Sequence, residues 1–166
     1  SAASDVYKRQ IQKNLDDIIT VEDAELVGAF LDMVENHKLI VENSGLLTVA
    51  ALKHLNVQNQ RVVSILSGGN MDIITMSSVV QQGLIFRDRI FTVSVLLPDK
   101  PGMLSKVADV IAKENGNVIK LEHNQFVSAA VELRITLETF GTEHKNQIIK
   151  ALEEKGYQPK QVRTNI

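Results

Sequence analysis

The sequence predicts an α/β chain of two parts, and three observations support this prediction. From residue 89 onward, strand and helix patterns follow one another in the order βαββαβ. Before residue 84, two helical patterns precede a short apolar run, Val62–Leu66, which ends in the turn Ser67–Asn70. The composition, 44% hydrophobic and 23% charged, is typical of a globular protein that buries a core.

The first ten residues, Ser1–Gln10, show neither a clear periodicity nor the pattern of a secretory signal. We expect residues 1–10 to be foreign to the protein, for instance an assembly join, or to lack fixed structure. Residues 11–83 then form the first domain. Within it, Leu15–Val21 is short and β-branched and predicts an edge strand, and Thr20 opens a helix from about Ala24 to Val34. A second helix, from Leu46 to about His54, has few polar residues, which indicates burial.

The apolar run Val62–Leu66 predicts a buried strand that delivers Ser67 to an open end of a sheet. In open α/β sheets, ligands bind outside the carboxyl ends of the strands. The alternative reading of Ser67 is a strand-end serine that satisfies local backbone groups. A helix from Asp72 with Gly83 as its C-terminal stop follows, and residues 84–88 are a candidate linker.

Residues 89–166 form the second domain. The first strand places Phe91, Val93, Val95 and Leu97 on one face. A helix follows from Met103 to about Asn115, then strands at Asn117–His123, with Ile119 and Leu121 on one face, and at Ala129–Glu138. A helix at Glu143–Lys155 precedes a last strand at Tyr157–Val162, which Pro159 restricts to an edge of the sheet.

Charge and chemistry exclude several classes of function. The net charge of −2 and the scattered Lys and Arg residues give no basis for a nucleic-acid partner or a membrane surface. No apolar run reaches the roughly 20 residues that span a bilayer, and the absence of cysteine fits a cytoplasmic protein. The four histidines, including His144, do not lie at metal-ligand spacing with carboxylates, so we expect no metal site and interpret each as a helix-end or surface histidine. Neither a nucleophile elbow nor a phosphate-binding loop is present.

The order of these elements resembles a known family. Glu42-Asn43-Ser44-Gly45, a buried helix, a strand and then Leu66-Ser67-Gly68-Gly69-Asn70 resemble the end of the catalytic domain of threonine ammonia-lyase (threonine dehydratase). This is a pyridoxal-phosphate enzyme of fold type II. The βαββαβ segment, with the loop Pro98–Gly102, resembles the ferredoxin-like ACT regulatory domain attached to some of these lyases. The resemblance runs from about Ile11 to the end of the chain.

The resemblance implies a cofactor site at Ser67, Gly68 and Glu42. In this family the matching serine hydroxyl hydrogen-bonds the pyridine nitrogen of pyridoxal phosphate. A hydroxyl does not protonate that nitrogen, so the ring is a weaker electron sink, which suits elimination better than transamination. We assign Glu42 only a supporting role at the cofactor, because Asn43-Ser44 departs from the Pro, Gly and small residues that usually follow the matching glutamate in this family. The Schiff-base lysine and the phosphate-binding glycine loop have no match, so we expect a carboxyl-terminal fragment that is inactive alone.

The resemblance also implies an allosteric amino-acid site between the first strand and first helix of the ACT domain, against a neighbouring copy. The expected residues are Asp99, Pro101, Gly102, Met103, Leu104, His123 and Asn124. Exposed amides at the start of the helix can receive a carboxylate. Feedback inhibition by isoleucine is the expected regulation. The segment His123-Asn124-Gln125 departs from the His-Asp-Arg common at this place in the family, which leaves the identity of the effector open. A degradative enzyme with a different effector is the alternative. The alternative is a loop that only connects two elements.

Two other functions stay open. The chain could be a non-catalytic ACT-type amino-acid sensor with a helical appendage, or a relative of serine dehydratase or serine racemase, which usually lacks the ACT domain. The preferred function is a part of threonine ammonia-lyase, which converts L-threonine to 2-oxobutanoate and ammonia in isoleucine biosynthesis. ACT domains usually pack against another copy, so we expect a homo-oligomer.

Overall fold

A computed structural model describes residues 2–127 and 130–165. The chain divides into two compact units, Ser1–Ile73 and Ile74–Ile166. Ser1, Ala129 and Ile166, which end or begin segments named above, lie outside the described residues. The domain boundaries 11–83, 84–88 and 89–166 stay predictions.

The first unit is helical. Its elements are α1 (Ala2–Asn14), α2 (Asp23–Asp32), a π-helical turn (Met33–His37), and α3 (Leu47–Ala50) flanked by 3₁₀ turns at Asn43–Leu46 and Ala51–His54. Helix α2 begins at Asp23 and is capped by Glu22 and not by Thr20: in this capping box the Glu22 backbone N–H donates to the Glu25 carboxylate at 2.8 Å. Phe30 and Leu46 are fully buried and form the centre of this unit.

Helix α1 includes residues 2–10, and a foreign origin for residues 1–10 stays a prediction. Two strands predicted for the first unit do not form. Neither Leu15–Val21 nor Val62–Leu66 forms a strand, and Val63 and Ile65 are 88% and 73% exposed. A strand is held by hydrogen bonds to a neighbouring strand, and the described residues of this unit contain none. The apolar sequence therefore lacks the partner that would make it a buried strand.

Helix α4 (Ile73–Phe86) passes through Gly83 and through part of the predicted linker 84–88. Gly83 is buried within the helix and is not its C-terminal stop. The helix ends instead at Phe86 and is closed by Asp88, whose φ of 53° is left-handed. The N–H of Asp88 bonds to the Ile85 carbonyl at 3.0 Å and that of Arg89 to Leu84 at 2.8 Å, which is a Schellman motif.

The second unit confirms the predicted βαββαβ order. Its elements are β1 (Ile90–Pro98), α5 (Met103–Lys113), β2 (Asn117–Val127), β3 (Ala130–Glu138), α6 (Thr142–Glu154) and β4 (Lys160–Val162). The strands form one antiparallel sheet in the order β2-β3-β1-β4. This is the split βαβ, or ferredoxin-like, arrangement.

One face of this sheet packs with α5 and α6 into a single core. The buried members are Phe91, Val93, Val95 and Leu97 of β1, Leu133, Ile135 and Leu137 of β3, Val107, Val110 and Ile111 of α5, and Ile148 and Leu152 of α6. Alternation of side chains along β1 and β3 sends their even-numbered residues to the opposite face. The four β1 residues predicted to share a face are therefore all core residues.

Strand β2 departs from the simple alternation predicted for it. Val118 pairs with Leu137 and Lys120 with Thr136, so Ile119 is an extra residue that forms a β-bulge. A bulge reverses the alternation on either side of it. Val118 and Leu121, paired with core residues of β3, therefore share the helix-side face, and the expectation that Ile119 and Leu121 share one is wrong.

Strand β4 lies at the edge of the sheet, as predicted, but it begins at Lys160, so Tyr157 and Pro159 lie outside it. It pairs with Thr92, Val93 and Ser94 only. Within the part of the chain that the structure describes, the second half of β1 therefore has no partner strand on this side. The same part of the chain contains no helix that is long and apolar enough to cross a membrane.

Candidate functional site

The turn after Leu66 lies against the segment that begins at Glu42. The Glu42 backbone N–H donates to the Gly68 carbonyl at 3.3 Å, and the Thr48 hydroxyl donates to the Ile65 carbonyl at 3.0 Å. The Ser44 hydroxyl donates to Glu42 Oε1 at 2.7 Å. One backbone bond and one side-chain bond thereby join the Glu42 segment to the Ser67 turn.

Two glycines make this close approach possible. A Cβ built at Gly45 would lie 1.7 Å from the Ser67 carbonyl oxygen, and one at Gly68 would lie 2.2 Å from Glu42 Oε1. Gly68 also has a φ of 82°, a conformation that favours glycine. Gly45 therefore requires glycine because a Cβ would meet backbone, whereas Gly68 favours glycine through its backbone conformation, since the Glu42 side chain can move away.

The structure places Ser67, Gly68 and Glu42 side by side, and their role in binding a cofactor stays a prediction. Glu42 is half-buried beside the turn, whereas Ser67 is exposed. The site thus offers a neutral hydroxyl held on a backbone that two glycines fix in place. This donor set fits the edge of a pyridine ring, because a hydroxyl can share a hydrogen bond with a neutral ring nitrogen without transferring its proton.

A second set of predicted residues lines a cavity of about 80 Å³ at the end of β1. Asp99, Gly102, Met103, Leu104 and His123 all contribute to its wall. Pro101 and Asn124 do not. Pro101 lies in the turn outside it, and Asn124 follows His123 on β2, where alternation sends it to the other face of the sheet.

The amino-terminal end of α5 opens at this cavity. Gly102 precedes the helix with a φ of 82°, and the Met103 N–H is bonded back to the Lys100 carbonyl. Helical geometry leaves the N–H groups of Leu104 and Ser105 without an intrahelical acceptor, as at any first turn. Anions are stabilised at such an end by these N–H groups and by the helix dipole.

Sequence reasoning missed the strand residues in the wall, Leu97, Pro98, Val131 and Leu133. Leu97 and Val131 are cross-strand partners on β1 and β3. The sequence shows that these side chains are apolar, but that property alone indicates core residues and not the wall of a cavity. Only the register shows that these particular residues reach the end of the sheet where the cavity opens.

The free edge of the sheet carries apolar side chains. Val118, Ile119 and Leu121 on β2 are 39%, 43% and 41% exposed. An edge strand presents unpaired backbone groups, and natural proteins usually protect such an edge with charge or cover it. Lys120 and Glu122 on the same strand pair with each other at 3.0 Å, so part of their charge is neutralised.

Comparison with known proteins identifies a family match and several relatives. Residues 91–156 match the ACT domain family. The chain is 35% identical over 153 residues to an L-threonine ammonia-lyase of Geobacter sulfurreducens and 28% identical over 153 residues to one of Thermotoga maritima. Each match covers 89% of this chain and 38% of the relative. A biosynthetic L-threonine dehydratase of Pasteurella multocida is 30% identical over 90% of this chain and 29% of its own length.

Among solved structures, the ACT domain of prephenate dehydrogenase from Bacillus anthracis is 26% identical, with a TM-score of 0.36, over 42% of this chain and 99% of that one. The chain spans well under half the length of the curated relatives named above. The resemblance to threonine ammonia-lyase drawn from the sequence is confirmed by these relatives. Residues 91–156 therefore form an ACT domain, in a chain that is similar along most of its length to threonine ammonia-lyases.

Proposed function

We propose that this chain is part of a pyridoxal-phosphate-dependent threonine ammonia-lyase whose activity is controlled by an amino acid bound to the ACT domain. The similarity over 153 residues to enzymes of that name carries the proposal, since it extends through both units of the chain. The enzyme would convert L-threonine to 2-oxobutanoate and ammonia. We further propose a cytoplasmic role in amino-acid metabolism.

In the complete enzyme, Ser67, Gly68 and Glu42 would lie at the pyridine edge of the cofactor. Pyridoxal phosphate, when bound, supplies the electron sink for elimination. The Ser67 hydroxyl would hold the ring nitrogen by one neutral hydrogen bond. Gly45 and Gly68 support this role, because they fix the Ser67 backbone against the Glu42 segment. The Schiff-base lysine would come from a part of the enzyme outside these 166 residues.

The effector would bind at the 80 Å³ cavity beside α5. Its carboxylate would lie at the first turn of α5, and its side chain against Leu97 and Val131. Ligand pockets usually exceed about 300 Å³, so this cavity needs a further wall to enclose an amino acid. We propose that the β2 edge of a neighbouring copy supplies it, which would make the regulated enzyme a homo-oligomer. Isoleucine is the proposed effector.

The full-length parent enzyme provides the test. Purified with pyridoxal phosphate and given L-threonine, it should release 2-oxobutanoate, and isoleucine should lower the rate. Ser67→Ala should lower kcat, and Leu104→Asp, which places a carboxylate at the anion site, should remove inhibition without changing the uninhibited rate. Gln147→Leu, on the exposed side of α6, is the matched control for both.

An enzyme without lyase activity would instead favour a non-catalytic amino-acid sensor, the second candidate function. The ACT unit has its own core and its own cavity, as a sensor requires. Activity on L-serine with none on L-threonine would favour a serine dehydratase. Either result would overturn the proposed reaction, whereas activity that isoleucine leaves unchanged would overturn only the proposed effector.

A further inference from the structure

A larger cavity, of about 400 Å³, opens where β4 stops short of the end of β1. Beyond Ser94, β1 has no neighbour on this side in the described chain, and the loop that leads from α6 to β4 forms the opposite wall. The cavity is lined by Ser94, Leu96, Leu97, Pro98, Met103, Glu132, Gly156, Tyr157, Gln158 and Lys160. Its volume lies within the usual range for small-molecule pockets.

One wall of this cavity is polar and carries both signs of charge. Ser94 pairs with Lys160 across β1 and β4, and Leu96 pairs with Glu132 across β1 and β3. These cross-strand pairs lie on the face of the sheet opposite the core, because they alternate with the core residues. A carboxylate and an ammonium group therefore flank the same stretch of β1.

The Glu132 carboxylate is held in place by the sheet. Ser94 Oγ donates to Glu132 Oε1 at 2.6 Å, and Arg134 Nε donates to Oε2 at 3.0 Å. The Glu132 side chain is only 13% exposed. A carboxylate has about four acceptor positions, so these two bonds leave it able to accept from a ligand. Its orientation is fixed before any ligand arrives, which reduces the entropy lost on binding.

The other wall is apolar. Leu97 is buried in the core, and Met103 and Tyr157 pack against that core from α5 and from the loop after α6. Leu96, by contrast, is 63% exposed at the mouth of the cavity. A ligand that covered Leu96 and Tyr157 would remove apolar surface from water, which favours binding at roughly 25 cal/mol per Å².

We propose that this cavity binds an α-amino acid with an aliphatic side chain. The ligand ammonium would donate to Glu132, its carboxylate would pair with Lys160, and its side chain would lie on the apolar wall. A group of each charge beside an apolar surface matches a zwitterion better than it matches an anion or a cation alone. The site is separate from the effector cavity at α5, although the two share Leu97, Pro98 and Met103, and it does not depend on that proposal.

Titration of the ¹⁵N-labelled 166-residue chain with L-leucine, followed by amide chemical shifts, tests the site. The amides of Gly156, Gln158 and Lys160 should move in a saturable manner at millimolar concentrations, because they line only this cavity. Two analogues separate the charges: 4-methylpentanoate lacks the ammonium group, and 3-methylbutylamine lacks the carboxylate. Each should bind at least about tenfold more weakly than L-leucine, since each loses one charge-assisted interaction.

Glu132→Gln and Lys160→Gln should each weaken L-leucine binding at least about tenfold. Lys113→Gln, an exposed lysine on α5 outside the cavity, is the control and should bind as the parent does. Lys160 is exposed, so Lys160→Gln should keep the fold and decides the result if Glu132→Gln does not fold. Shifts confined to Asp99, Gly102 and His123, unchanged binding in Lys160→Gln, or an analogue that binds as tightly as L-leucine would each overturn the proposal.

Discussion

Gly45 shows how one missing side chain holds the candidate cofactor turn in position. The obstacle to a Cβ at this residue is the Ser67 carbonyl, which belongs to the backbone and cannot rotate away as a long side chain can. The contact therefore fixes the distance between the 3₁₀ turn at Asn43–Leu46 and the Ser67 turn. Gly69, two residues after Ser67, has no such restriction, because its nearest neighbour is 3.8 Å away.

Gly45→Ala should therefore separate the two turns and lower the free energy of unfolding of the first unit by about 1–3 kcal/mol, as overpacking does. The exchange rate of the Glu42 amide should rise, since its bond to Gly68 spans the same contact. Urea unfolding and hydrogen exchange measure the two effects. Gly69→Ala is the control, and equal effects of the two substitutions would contradict the assigned contact.

His144 is a buried histidine whose two ring nitrogens both bond to backbone. The Phe140 N–H donates to Nδ1 at 3.1 Å, so the hydrogen of the neutral ring lies on Nε2, which donates to the Glu114 carbonyl at 2.5 Å. The ring thus joins the start of α6 to the end of α5. The sequence predicts a surface or helix-end histidine, and only the second description holds, because His144 is buried.

Replacement of His144 by Leu should lower the free energy of unfolding of the ACT unit by about 2 kcal/mol. The apolar side chain leaves the Phe140 N–H and the Glu114 carbonyl without these partners, and buried unpaired groups cost about 1–3 kcal/mol each. Thermal and urea unfolding measure the loss. Gln147→Leu, exposed on the same helix, should change little, and a His144→Leu protein as stable as the parent would show that both groups find other partners.

At the scale of elements, the end of α4 is joined to α6 through Asp88. Lys145 Nζ donates to Asp88 Oδ1 and Thr142 Oγ1 to Oδ2, both at 2.8 Å, while the Thr139 hydroxyl donates to the Asp88 carbonyl at 2.5 Å. Burial alone raises the pKa of Asp88, but the bonds from Lys145 and Thr142 outweigh it and hold this pKa below its ordinary value of 3.8. Asp88 therefore both closes the C-terminal end of α4 and joins it to α6.

Asp88→Asn should lower the free energy of unfolding at neutral pH by about 1–2 kcal/mol, because the amide cannot pair with the Lys145 ammonium group. The lowered pKa fixes the pH dependence. The contribution of Asp88 is complete above 3.8 and is lost as the pH falls through the lower value of the folded state. The parent and Asp88→Asn should therefore converge in stability at strongly acidic pH.

Urea unfolding of both proteins between pH 7 and pH 2 measures this convergence. Asp109→Asn removes an exposed carboxylate on α5 and should follow the parent throughout. A constant difference between the parent and Asp88→Asn at every pH would show that the loss comes from packing and not from charge.

At the scale of the whole molecule, self-association through β2 is the expected consequence of an apolar free edge. Val118 and Leu121 share the helix-side face and are about two-fifths exposed. A second copy that packed beside this edge would pair its open backbone groups and cover these side chains.

The double substitution Val118→Lys/Leu121→Lys should weaken self-association at least about tenfold. Lysine on an edge strand commonly blocks pairing with another copy, and its ammonium group would lose its hydration in the interface. Sedimentation velocity of the 166-residue chain over a range of concentrations measures it. Leu96→Lys changes an exposed leucine on the inner strand β1 and should sediment as the parent does. Equal sedimentation of all three proteins would exclude the β2 edge as the interface.

The βαββαβ unit could be predicted because its information is local. Three signals can each be recognised from a few adjacent residues: the alternation along β1 and β3, the break at Pro98–Gly102 and the position of Pro159. The observed sheet agrees with all three. Pro159 lies just before β4 and has no N–H to donate, which fits a short strand that starts at Lys160 on the edge of the sheet. The first unit was predicted less well, since Val62–Leu66 is apolar enough for a strand but has no strand beside it.

The sequence by itself determined the ACT fold, the resemblance to threonine ammonia-lyase, and half of the residues that line the cavity at α5, through alternation, turn residues and a recognisable segment at Ser67. Tertiary structure alone decided the contact of Gly45 with Ser67, the bulge at Ile119 and the cavity beside Glu132 and Lys160. The physical reason is that these features depend on which strands pair, in which register, and over what length. The 400 Å³ gap exists because β4 is three residues long and β1 is nine.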